Sequence, residues 1–171
     1  MKKIGSALAL LLLLGIWMSA SLAAEGKYST IILKEFSLEG AAIQENPDTE
    51  AFAKGLPSQF SLMVEEFLQA YKVPQNVVRG EAPSPEAVIV EGRFTKITAG
   101  STAARIVVGL GAGASTVGAE WTVKDATTGK VLGKYNKNQH SSSSVRGIHA
   151  LESDSRYLAK YVASTISKLV K

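Results

Sequence analysis

The sequence predicts an α+β fold: a two-layer sandwich in which a mainly antiparallel sheet of four to five strands carries two helices on one face. Three observations predict it. First, Val117, Ala119, Trp121 and Val123 alternate with Thr116, Gly118, Glu120, Thr122 and Lys124. That period of two belongs to a strand with one buried face, and Asp125 to Gly129 then reverses the chain. Second, Phe60, Met63, Val64, Phe67, Leu68 and Tyr71 recur at three- and four-residue steps, as do Leu158, Tyr161, Val162, Thr165, Ile166 and Leu169. Each set forms the apolar stripe of an amphipathic helix. Third, short turns join the late strands, which makes them antiparallel neighbours.

In chain order, Lys2 and Lys3 precede an apolar run from Ile4 to Met18, followed by small residues at Ser19, Ala20, Ser21, Ala23 and Ala24. This is the pattern of a secretory signal peptide. Ser21-Leu22-Ala23 fits the small-x-small cleavage rule, so residues 1–23 are expected to be removed and the mature chain to begin at Ala24, with cleavage after Ala24 as the near alternative. An uncleaved membrane anchor is the competing reading, but the apolar core is shorter than the roughly 20 residues of a membrane span. Residues 24–171 then form one domain of about 148 residues, long enough to bury about 68–70% of the surface its unfolded chain exposes. The chain has no cysteine, which excludes disulfides, thiolate metal sites and a lipid-bearing lipobox thiol. The expected location is the periplasm, with membrane contact at most peripheral. Loss of Lys2 and Lys3 lowers the net charge from +4 to about +2. No basic cluster is interleaved with aromatics, and nucleic-acid binding lacks electrostatic support.

Tyr28 to Phe36 is rich in β-branched residues and reads as the first strand. After the loop Gly40 to Pro47, the run Pro47-Asp48-Thr49-Glu50 starts a helix through Phe52, which Gly55-Leu56-Pro57 is expected to break or restart. A second helical stretch runs from Ser58 to near Lys72. Val73 to Pro85 is a proline-rich connection with room for a short strand at Val77-Val78. Ala87 to Thr98 is a half-buried strand with Val88, Val90, Gly92 and Phe94 on one side, and Ala99-Gly100-Ser101 turns it. Gly109, Gly111 and Gly113 interrupt the apolar run Ile106 to Leu110, where a bend or close backbone contact is expected. Val131 to Gln139 returns antiparallel. Ser141 to Ser144 is low in complexity and reads as exposed. The last helix spans Ser153 to Val170, with Ser153 and Asp154 as cap candidates.

The order of Val88-Ile89-Val90-Glu91-Gly92, Phe94-Thr95, Arg105, Gly109-Leu110-Gly111-Ala112-Gly113, an alternating strand and Asp125-Ala126-Thr127-Thr128-Gly129-Lys130-Val131-Leu132 resembles the bacterial envelope family of unknown function labelled DUF4410. The similarity covers most of the mature chain and is sharpest from Val88 to Leu132. It implies an exported protein and carries no established chemistry. Members are often lipoproteins, and this chain departs from them in lacking cysteine. More distantly, the layout resembles small α+β modules of envelope assembly proteins.

Gly109-Leu110-Gly111-Ala112-Gly113-Ala114 matches a G-x-G-x-x-A dinucleotide fingerprint, but the chain continues as a strand where a phosphate-binding loop opens a helix. Gly113 to Gly118 has Walker spacing, yet Ala119-Glu120 stands where Lys-Ser/Thr is required. His140 and His149, the only histidines, are nine apart, outside any H-E-x-x-H spacing, and read as surface residues in loops. Ser141 to Ser144 contains no nucleophile elbow. Glu65, Glu66, Glu91 and Glu120 read as solvated charges, with nothing to hold a pair about 5 Å or 6.5–9.5 Å apart for glycoside hydrolysis. No cofactor, metal or catalytic residue is indicated, and the expected activity is non-catalytic. The leading function is an exported envelope module that binds an envelope protein or itself, with Arg105, Val108, Gly109, Leu110, Gly111 and Gly113 as the contact. A periplasmic hydrolase or small-ligand carrier is the alternative.

Overall fold

The computed structural model describes residues 27–73, 75–80, 85–101, 113–141 and 147–171. The expected signal peptide lies outside them. The elements in order are strands β1 (Thr30–Leu33) and β2 (Ala42–Ile43), helix α1 (Pro47–Ala70), strands β3 (Asn76–Arg79), β4 (Ala87–Thr98), β5 (Ser115–Asp125) and β6 (Val131–Ser141), and helix α2 (Ile148–Val170). The six strands make one sheet in the order β3-β1-β4-β5-β6, with β2 beside β4. The two-layer α+β sandwich agrees with the sequence reading, but the sheet is mixed. β1 runs parallel to β3 and β4, and β2 parallel to β4, whereas β4-β5-β6 is an antiparallel meander. The parallel part follows from α1, which carries the chain back across the sheet between β1 and β3.

α1 is one helix, a correction to the break expected at Gly55-Leu56-Pro57. Asn46 caps it by accepting from the amides of Asp48 and Thr49 at 3.0 and 3.2 Å, Pro47 occupies the first turn, and Asp48 and Glu50 oppose the helix dipole. Pro57 lacks one amide donor, yet Ala53, Leu56 and Phe60 on either side of it are fully buried. That packing outweighs a local interruption. The helix stops because Lys72 turns left-handed, with φ 52°, and the amides of Lys72 and Val73 bond back to Gln69 and Leu68.

α2 begins at Ile148, five residues before the expected start. The added first turn, Ile148 to Glu152, buries Ala150 and Leu151, and Asp154 is not its cap but a buried residue within it. Tyr161, expected in the buried stripe, is 43% exposed.

Both helices lie on one face, where a single core joins Ile31 and Leu33 of β1, Val88, Val90, Phe94 and Ile97 of β4, and Val117, Ala119, Trp121 and Val123 of β5 to α1 and α2. Strict alternation along β4 would turn Ile97 away from the face that holds Phe94. A bulge between Phe94 and Lys96 shifts the register, so both side chains are fully buried on one side.

Candidate interaction surface

Of the contact residues expected from sequence, Arg105, Val108, Gly109, Leu110 and Gly111 lie outside the described residues. Gly113 is described. It has φ 73° and leads into β5, and its carbonyl accepts the Ser101 amide at 3.0 Å. Gly100 faces it with φ 79°, and a Cβ added there would sit 2.1 Å from the Gly113 carbonyl oxygen. The two backbones therefore meet where no side chain fits.

The sheet face opposite the helices carries charged side chains. The alternation that buries Val117, Ala119, Trp121 and Val123 sends Thr122, Glu120 and Lys124 outward. In the β4-β5 register Arg93 stands directly opposite Glu120, and their side chains meet at 2.7 Å. Lys124 pairs with Glu91, its diagonal neighbour on β4. These exposed pairs contribute about 0.2–1 kcal/mol each and mainly fix register. Over this charged strip, bordered on one side by the segment after β1, lies an open groove of about 620 Å³, lined among others by Ser37, Glu39, Arg93, Glu120, Lys134 and Asn136. Its other border is β6, which has β5 as its one strand neighbour among the described residues. His140, expected in a loop, stands in β6 with its Nδ1 2.9 Å from the Thr116 hydroxyl.

Two carboxylates are held inside the fold in opposite ways. Asp125 opens the β5-β6 hairpin. Its Oδ1 accepts the Thr127 and Thr128 amides at 3.1 and 2.9 Å, and its Oδ2 accepts from Lys27 and Tyr28 at 3.0 Å each. The Thr128 amide first, then the Lys27 ammonium, hold its carboxyl well below the usual range. Asp154 is fully buried and accepts the Ser115 hydroxyl at 2.7 Å and the Ser141 hydroxyl at 2.5 Å, tying α2 to the paired ends of β5 and β6. Burial pushes its carboxyl above the ordinary value, against the two serine hydroxyls. Sequence reasoning missed this residue because Ser115 and Ser141 become neighbours only through strand register.

As pH rises from the ordinary carboxylate value of 3.8 through the raised native one, the unfolded chain releases the Asp154 proton first, and stability falls. Asp154→Asn keeps a side chain that can accept from one serine and donate to the other, and removes that fall. Urea midpoints at pH 4 and pH 7 should therefore move in favour of the variant as pH rises. An equal difference at both values would show that the Asp154 charge has no cost in the fold.

Among the described residues no three of His, Cys, Asp and Glu converge to hold a metal ion, and no helix is long and apolar enough to cross a membrane.

This mixed sheet with two long helices on one face defines a class of small α+β sandwich found in other solved bacterial proteins. The PelC dodecamer from Paraburkholderia phytofirmans is 16% identical with a TM-score of 0.54, covering 81% of this chain and 88% of that one. The hypothetical protein CT253 from Chlamydia trachomatis is 10% identical with a TM-score of 0.53, covering 83% and 98%. At such identities the likeness is one of fold. No curated protein matches the chain. The family is shown by sequence: the chain belongs to DUF4410, a domain of unknown function, whose model matches residues 31–143.

Proposed function

We propose that this chain is an exported cell-envelope protein that acts by assembling with further copies of itself and not by catalysis. The observation that carries this reading is the 11-residue edge strand β6, long and largely exposed, with one side of its backbone unpaired by any described strand. An edge of that length is a template for pairing with another chain. The PelC relative in fold is a dodecamer, which supports self-association, and the charged, apolar and small-residue order of residues 1–24 supports export. Sedimentation velocity and intact mass, measured on the chain recovered from the envelope of expressing cells, test both parts. The expected result is a protein lacking its first 23 residues that sediments as an oligomer. A chain that retains Met1, or that stays monomeric at all concentrations, overturns the reading.

A further inference from the structure

β6 and the hairpin before it carry Lys130, Lys134 and Lys137, all exposed, and residues 130–141 contain no acid. Lys134 stands on the groove side, and Lys137 lies over the Tyr161 ring at 5.5 Å on the helix side, so cations flank this edge on both faces. Two β6 strands paired with each other would set lysines against lysines, which is unfavourable. Along the second half of β4, beyond its pairing with β1, the sheet has another border, and it carries the complementary charge. The segment after β1 runs along β4 through the Ser37 to Arg93 bridge and β2, and there and into α1 it exposes Glu35, Glu39, Glu45, Asp48 and Glu50. Direction agrees as well. β6 is antiparallel to β5 and β5 to β4, so β6 runs the same way as β4 and as β2 beside it.

We infer that copies of this chain join head to tail, with the lysine-flanked edge strand β6 of one copy docking along the acidic border from Glu35 to Glu50 of the next. This rests on the self-association proposed above and names its surface and partner. Such a contact uses two different patches, so it propagates into a closed ring or an open filament, whereas a two-fold dimer would use one patch twice. Because opposite charges meet across it, assembly weakens as salt rises.

The test is mass photometry and sedimentation on three proteins: wild type, Lys134→Glu with Lys137→Glu, and Glu39→Lys with Glu45→Lys, each checked for folding by circular dichroism. Each double variant alone should need about tenfold or more higher concentration to assemble. Mixed one to one, they should assemble again, because each reversed border then meets its reversed complement. If wild type assembles and either variant assembles equally well alone, the named surface is wrong while self-association stands. If the mixture fails to recover, the two borders are not partners. A wild-type chain that remains monomeric overturns both the surface and the reading beneath it.

Discussion

Trp121→Ala lowers the stability of the fold by about 3–5 kcal/mol, the range for truncating a large buried aromatic side chain. Trp121 is 2% exposed and sits where β5, β6 and α2 meet. Its ring stacks on Tyr135 at 5.4 Å and stands nearly perpendicular to Tyr161 at 5.9 Å. Its indole N–H donates to the Thr165 hydroxyl at 3.2 Å, and that hydroxyl donates in turn to the Val162 carbonyl at 2.7 Å. Truncation therefore removes burial, a stacked pair and the bond that joins sheet to helix. Tyr161→Ala, which removes an exposed partner from the same cluster, costs only about 0.5–1.5 kcal/mol. Urea unfolding followed by circular dichroism separates the two, and a Trp121→Ala midpoint that hardly moves would place Trp121 outside the core.

Phe36→Ala is expected to cost a similar amount, about 3–5 kcal/mol, and to change the effect of a second substitution. Phe36, Phe60 and Phe94 form a triad with centroids 5.1, 5.9 and 5.2 Å apart, and all three are fully buried. The Ser37 amide bonds to the Gly92 carbonyl at 3.0 Å and the Phe94 amide to the Ser37 carbonyl at 2.8 Å, which lays the Phe36 ring over Gly92. A Cβ at Gly92 would sit 2.7 Å from that ring and 2.6 Å from the Glu120 carbonyl. Gly92→Ala alone should cost about 1–3 kcal/mol from overpacking. In the Phe36→Ala background the ring contact is gone and only the backbone contact with Glu120 remains, so the two costs should sum to more than the double variant shows. Strict additivity would mean that Phe36 does not pack on Gly92.

Asp125 and Asp154 make stability depend on pH in opposite ways. Asp125, with its carboxyl lowered by amides and an ammonium, contributes stability that is present above the ordinary carboxylate range and lost as pH falls through the native value. Asp154, raised by burial, works in the opposite sense. The two therefore act on the acid limb of the stability profile with opposite sign.

Much of the fold was legible in the residues alone because its signals are local. The alternation around Trp121, the stripe from Phe60 to Leu68, the short strand at Val77-Val78 and the hairpin at Asp125 each depend on side chains a few positions apart, where backbone periodicity and turn chemistry act directly. The outward projection of Glu91, Arg93, Glu120 and Lys124 was implied by the same alternation. What sequence could not supply was the pairing of those charges, which depends on the β4-β5 register.

The sequence by itself determined the α+β class, the number of helical layers, the buried phase of β5 and the family resemblance, because each rests on periodic burial or contiguous motif. Only the tertiary structure decided the continuity of α1 through Pro57, the start of α2 at Ile148, the burial of Asp154, the parallel half of the sheet and the charge opposition of its two borders. Those features arise from contacts between residues far apart in the chain. Leu56 and Phe60 hold Pro57 in a helix by packing on the sheet, and Ser115 and Ser141 reach Asp154 only after β5 and β6 have paired. Local propensity is weaker than such burial, and where the two compete the core prevails.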